Sequence, residues 1–421
     1  MLFDETLPNV LRQSHIRESA HLQSLFQVKL IGFCRQPDRN KLAIDMKLSD
    51  RIQSIQASQT NELTSLMEKL RSQGEPIFNL AVGEPEYDTP QEIIEATKAA
   101  LDAQKTRYSP VQGIANLKNG IATFYEGYDS KNIIVTNGSK QALYSIFQVI
   151  CNRFDEVIIP TPCWVSFPEQ IKLAGGQPIF VETRNHQLDV DAIENAISPK
   201  TKAVLINSPN NPTGAVYAEE DLKKVARLSQ QHNFFVISDE AYQFFVYDDL
   251  APSSLFDFEE IRDRLIITGS FSKQYHMTGF RVGYIAASIE IVNALSKLQS
   301  HLSGNVCTFV QYGALAAIVN GNDVFERHRK ELEEKRDVAY RHATNLFECI
   351  KPQGAFYVFP NISKWLKKGE SSSDFATDLL QKTGVAVVPG EAFGMPGYMR
   401  ISYAVPQRTL IEGFQRIAEV V

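Results

Sequence analysis

The residues best placed to do chemistry in this 421-residue chain follow short apolar runs. The run LIITGSFSK, residues 265–273, ends in small polar residues and delivers Lys273. Open α/β sheets bind their ligands beyond the carboxyl ends of the strands. A lysine there, with its pKa lowered by its surroundings, can form an imine with an aldehyde. Ser270 has a hydroxyl to offer a phosphate, and Arg281, in MTGFRVGY, a charge-assisted contact to the same anion. A second run, FFVISDEAY (234–242), places Asp239 at its tip and Tyr242 just beyond. A carboxylate in that position can hold a pyridine nitrogen protonated and make its ring an electron sink, and Tyr242 can hydrogen-bond a phenolic oxygen on the same ring.

Three further junctions carry the same kind of signal. NSPNNPTG (207–214) has too many turn formers for helix or sheet. Within it Asn211 can present an amide donor, and the Asn211–Pro212 bond is a candidate for the cis form. TNGSK (136–140) runs from strand into helix through Gly138, Ser139 and Lys140. Free N–H groups at a helix start attract anions, although the GxxxxGK[ST] spacing of a nucleotide loop is absent. TPCW (161–164) adds Trp164, whose ring can stack on a planar group. Arg400, inside the apolar run YMRISY, is a planar bidentate donor suited to a carboxylate. Each residue also has a bland reading in isolation. Lys273 can be a solvated charge, Asp239 a helix cap, Trp164 core filling and Arg400 half of a surface ion pair.

The elements that must position these residues alternate. Ile77–Val82, Ile133–Thr136, Glu156–Pro160, Pro178–Thr183, Ala203–Asn207, Phe234–Asp239, Leu265–Ser270 and Val282–Ala287 read as strands rich in branched residues. Amphipathic stretches such as Pro90–Ala103, Gly138–Cys151, Trp164–Ala174, Val190–Ile197 and Glu219–His232 lie between them. The pattern predicts an α/β fold: a large domain with a mostly parallel sheet covered by helices, over residues 91–309. From Asp323 a long charged helix reaches about Cys349, followed by a hairpin-like GAFYVFPNI, another helix, VAVVPG and YMRISYA. Residues 46–90 and 310–421 therefore read as a smaller α+β domain. Residues 1–45 are polar and weakly periodic. The body of the protein is expected to begin at Met46, as the translation start or after a loosely ordered extension, and no function attaches to the segment.

Composition excludes several classes. A net charge of −6 gives no basic field for a nucleic acid. The five cysteines, Cys34, Cys151, Cys163, Cys307 and Cys349, are odd in number and never spaced as CxxC. That argues against a disulfide framework or a metal site and for a reducing, cytoplasmic compartment. No stretch approaches the roughly 18 apolar residues of a membrane span, and the N-terminus lacks a basic region followed by an apolar core. A soluble protein is expected.

Taken in order and spacing, the motifs NLAVGEPEYDTP, KTRYSP, GSKQAL, PCWVSFPE, NSPNNPTGAVY, SDEAY, SFSK, MTGFRVGY, GAFYVF and VAVVPG resemble the class I aminotransferases of the fold-type-I pyridoxal-phosphate superfamily. The resemblance runs from about Met46 to Val421 and is nearest the bacterial branch of aspartate and prephenate aminotransferases. It implies pyridoxal 5'-phosphate bound to Lys273, which also moves the proton at Cα. Asp239 then pairs with the ring nitrogen, Asn211 and Tyr242 with the ring oxygen, and Trp164 stacks on the ring. Gly138, Ser139, Lys140, Ser270 and Arg281 surround the phosphate, and Tyr108 reaches that of the neighbouring subunit in a homodimer with shared active sites. Arg400, with the Gly83 backbone beside it, clamps the α-carboxylate.

In that branch a lysine in the phosphate loop and small hydroxyl residues read an acidic side chain, here Lys140, Ser58 and Thr60. Aspartate, glutamate and their oxo acids are the implied substrates, with prephenate as the alternative acceptor. A pyridoxal-phosphate-dependent lyase is a rival that Lys140 and Thr60 argue against. A non-catalytic regulator is another, for which residues 1–45 are too short and insufficiently basic. Cys163 and Ser139 depart from the tyrosine and glycine common in relatives.

Overall fold

Seven of the apolar runs pair into one sheet in the computed structural model, which describes residues 48–55, 59–251 and 253–421. The expectations for residues 1–45 and for Ser58 fall outside the described residues, as does the side chain of Thr60. The strands are β1 (Ile133–Thr136), β2 (Glu156–Thr161), β3 (Gln177–Glu182), β4 (Thr201–Asn207), β5 (Phe235–Asp239), β6 (Leu265–Ser270) and β7 (Gly283–Ala287). Their order is β1-β7-β6-β5-β4-β2-β3. Only β7 runs against the others, antiparallel to both β1 and β6. The remaining neighbours are parallel.

Alternation explains why both faces need cover. On β2, Val157 and Ile159 enter one core while Ile158 enters the other. Helix Ser139–Ile150 closes the first with Leu143, Ile146 and Phe147. Helix Glu219–His232 closes the second with Leu222, Val225 and Ala226. Three carboxylates fill the first turn of the latter helix, favourable to its dipole, and Asn233 ends it in the left-handed region at φ 53°.

A separate core joins the later segments. Phe325, Leu332, Ala339 and Ala343 line one side of helix Asn322–Leu346 and meet Leu410, Phe414 and Ile417 of helix Gln407–Ala418. Tyr357, Val358, Met399 and Ile401 fill the space between. Two sequence expectations are corrected here. GAFYVFPNI is not a hairpin with itself: Tyr357–Val358 pairs antiparallel with Met399–Ser402. The run Ile77–Val82 contributes only Phe78–Asn79, which pairs parallel with Val385–Ala386 outside the main sheet. Beyond that ladder the Ala81 and Gly83 carbonyls accept from the Arg400 and Lys273 side chains instead.

Arg336 is fully buried in this second region, yet charged. Its guanidinium grips Asp248 through two hydrogen bonds of 2.7 and 2.8 Å and lies 5.0 Å from the Tyr247 ring. Arg336→Ala is expected to lower stability by about 2–3 kcal/mol, below the roughly 3–5 kcal/mol of a fully enclosed pair because Asp248 is partly exposed. A reduced urea midpoint at unchanged slope is the readout. A midpoint equal to that of the parent chain would show the pair to be idle.

Candidate active site

The strand directions bring the singled-out residues to one edge. β1, β2, β4, β5 and β6 finish at Thr136, Thr161, Asn207, Asp239 and Ser270. β7 starts at the same edge, since Gly283 pairs with both Thr136 and Ser270, so Arg281 enters there too. Below that edge lies a cavity of about 580 Å³. Among the residues anticipated from sequence, Gly83, Ser139, Lys140, Trp164, Asn211, Asp239, Tyr242, Ser270, Lys273, Arg281 and Arg400 line it. Gly138 stands just behind, at φ 81°, where a Cβ would come within 2.7 Å of the Arg281 guanidinium. Tyr108 does not join them; it is 98% exposed on this chain.

Lys273 sits in the short helix Phe271–Gln274 that Ser270 caps, its hydroxyl oxygen accepting from the Ser272 N–H. Its amine donates to the Gly83 carbonyl. Burial pulls the amine down to about 8; Glu84 opposes this, and Arg400, Arg281 and Lys140 reinforce it. On the neighbouring strand, burial pushes the Asp239 carboxyl up to about 6, against the Ala241 N–H and Thr268 hydroxyl that stabilise its charge. Both of those hydrogen bonds, 3.2 Å each, fall on Oδ1. Among the described residues none falls on Oδ2.

The asparagine turn is held by β4 itself. Asn207 donates to the Asp239 carbonyl and accepts from the Asn211 N–H, at 3.0 Å each. The Asn211–Pro212 bond is cis. Asn211 Oδ1 accepts from Arg400 at 2.9 Å, which orients its amide so that Nδ2 is the donor left for a guest. Arg400 also donates to the Ala81 carbonyl at 2.9 Å and lies 4.2 Å from the Tyr357 ring and 5.1 Å from that of Phe393. Its Nε is buried without a partner among the described residues. The Lys140 amine stands 4.9 Å from the Trp164 ring, its pKa lowered by burial and then by Arg281.

Among the described residues the cavity is lined by four cationic side chains, Lys140, Lys273, Arg281 and Arg400, against the single carboxylate of Asp239. That imbalance calls for anionic guests. Helix Ser139–Ile150 opens beside it with no side-chain cap, leaving N–H groups free for an anion. The donor set fits pyridoxal 5'-phosphate: cations and a helix start for a phosphate, Oδ2 for a pyridinium, Nδ2 of Asn211 and the Tyr242 hydroxyl for a phenolic oxygen. An amine with a lowered pKa is present for the aldehyde. Sequence reasoning assigned no role to Asn207, Ala81, Tyr357 or Phe393, all but the first drawn from segments far from the sheet. Asn207, Ala81 and Tyr357 stood inside quoted motifs. Ala81 contributes a carbonyl, which no side-chain pattern signals.

Residues 75–417 match the family model described as aminotransferase class I and II. The chain is 40% identical over 385 residues to a probable aspartate/prephenate aminotransferase of Aquifex aeolicus, covering 88% of this chain and 97% of that protein. It is 39% identical over 389 residues to the aspartate aminotransferase of Bacillus subtilis, covering 89% and 99%. Among solved structures it is similar to the aspartate aminotransferase of Thermus thermophilus with maleate, at a TM-score of 0.85 and 35% identity, covering 89% of this chain and 100% of that one.

Proposed function

The chain belongs to the class I and II aminotransferases, pyridoxal-phosphate-dependent enzymes, and we propose that it exchanges amino groups between dicarboxylic amino acids and 2-oxo acids by a ping-pong route. Pyridoxal 5'-phosphate, when bound, supplies an aldehyde that takes up amino groups and a ring that spreads the electron pair left by a departing α-proton. Lys273 would hold the aldehyde as an imine, and its amine, once free and neutral, would take the α-proton of the bound amino acid and carry it to the cofactor's former aldehyde carbon. Asp239, an anion near neutral pH, keeps the ring nitrogen protonated. Asn211 and Tyr242 would donate to the ring oxygen, Trp164 would stack on the ring, and Gly138, Ser139, Ser270, Arg281 and the backbone at Lys140 would hold the phosphate. Arg400, beside the Gly83 backbone, takes the α-carboxylate.

The observation that carries the dicarboxylic reading is a pair of cations in the cavity, each with its own surroundings. Arg400 is bedded against Asn211 and Ala81, and Lys140 stands over Trp164. With the phosphate held by the helix start and Arg281, two positive charges remain for two carboxylates, Lys140 being helped by Ser58 and Thr60. Prephenate as acceptor is the second reading, supported by the name of the Aquifex aeolicus relative and by the same cation. Half-reactions with aspartate, glutamate and phenylalanine, and turnover from glutamate to oxaloacetate or prephenate, separate these. The dicarboxylic donors are expected to exceed phenylalanine in kcat/KM by about 100-fold, the worth of one partly exposed charge pair of roughly 2–3 kcal/mol. Equal rates for phenylalanine would remove the role of Lys140.

The same reading includes a cytoplasmic homodimer with shared sites. An exposed Tyr108 supports it, as a side chain intended for a partner's phosphate. Five cysteines, odd in number and never spaced as CxxC, support a reducing compartment. Among the described residues no helix is long and apolar enough to cross a membrane. We further propose two domains, 91–309 and 46–90 with 310–421, apart from helix Thr308–Asn320, whose Val310, Ala314 and Ala317 pack in the sheet's core.

A further inference from the structure

Tyr357 lines the cavity, is fully buried, and touches both halves of the site. Its hydroxyl lies 2.9 Å from that of Tyr242, and the Arg400 guanidinium lies 4.2 Å from its ring centre. Two hydroxyls at that distance share one hydrogen bond, so one must donate and the other accept. Charge decides the order. The guanidinium eases ionisation of both hydroxyls, but the Asp239 carboxylate opposes it at Tyr242 alone, which leaves Tyr357 the more acidic of the two. The more acidic hydroxyl is the better donor.

We propose that Tyr357 is a positioning residue that sets the direction of the Tyr242 proton: Tyr357 donates to the Tyr242 oxygen, which turns the Tyr242 hydroxyl toward the cavity, under the control of Arg400. The inference rests on the reading of Tyr242 as a donor to the cofactor's ring oxygen. It gives the carboxylate-binding arginine a wire of two hydroxyls to that oxygen. An anion seated on Arg400 cancels part of the field over Tyr357, weakens its donation, and so changes how strongly Tyr242 holds the ring oxygen. Strand pairing fixes the geometry, since Tyr357 faces Ser402, two residues from Arg400, in the ladder.

Holoenzyme absorbance titrated against pH, without turnover, tests this in Tyr242→Phe, Tyr357→Phe and the double variant. A donor to the ring oxygen lowers that oxygen's basicity and with it the midpoint of the visible band. Tyr242→Phe should raise the midpoint, Tyr357→Phe should raise it by about half a unit, the effect of one weakened hydrogen bond, and the double variant should match Tyr242→Phe alone. A Tyr242→Phe midpoint at the wild-type value would overturn the reading of Tyr242 and the inference with it. A shift in Tyr242→Phe but none in Tyr357→Phe, or full additivity in the double variant, would overturn the inference alone. Maleate affinity gives the second readout. Tyr357→Phe keeps the ring under Arg400 and should stay within about twofold, whereas Tyr357→Leu removes the ring and should weaken maleate about tenfold. Equal losses in the two would make the hydroxyl merely structural and overturn the proposal.

Discussion

Lys273→Ala is expected to lower turnover by at least about four orders of magnitude, because one side chain both holds the cofactor and moves the proton. The absorbance band of the imine with the protein, and its pH titration, should be lost with it, while the phosphate contacts keep some free-aldehyde cofactor associated. The wild-type amine adds a pH signature. Burial and the cations around it bring Lys273 to about 8 from the 10.5 of an exposed lysine. The neutral amine is the reactive form, and its fraction grows as pH rises. Cofactor capture by the apoenzyme should therefore accelerate through about pH 8 and level off above it. Capture still climbing at pH 10 would mean that the amine is exposed and the cavity assignment wrong.

Asp239→Asn should be the next most damaging change. The amide keeps the shape and an oxygen for the Ala241 N–H and Thr268 hydroxyl, so the strand tip is not disturbed. What disappears is the negative charge. A charge pair about 4 Å apart at an effective dielectric of 20 is worth about 4 kcal/mol, or about a thousandfold in kcat. KM should move little, since the proposed partner of the α-carboxylate is Arg400 and not Asp239. Single-turnover rates separate the two parameters. A kcat within threefold of wild type would deny Asp239 its role at the ring nitrogen.

Much of this site was legible because its residues stand where apolar runs stop. Lys273, Asp239, Asn211 and Gly138 each follow a strand whose β-branched residues announce it, and a parallel sheet brings such ends to one edge. The helix Glu219–His232 has its sequence-read limits, marked by acidic residues in front and Asn233 behind. The long helix was overextended: it ends at Leu346, where Phe347 turns to extended backbone at φ −137°, with no glycine or proline to announce the stop. Strand order was not legible either. The residues 282–287 alternate no differently for a strand that runs against its neighbours, so nothing local marks β7 as the reversed one.

The remaining gaps have the same origin. Tyr357 acts through a ring under a guanidinium and a hydroxyl shared with a residue 115 positions away. Phe393 and Ala81 act through a ring face and a carbonyl oxygen. These are long-range geometric facts, and residue type alone does not encode them.

Borohydride reduction of the holoenzyme, followed by peptide mass mapping, tests the central claim most directly. Reduction locks the cofactor to whichever amine carries it. The added mass should lie on the peptide containing Lys273 and on that residue within it. Label on Lys140, the other lysine lining the cavity, or on any lysine elsewhere, would contradict the account.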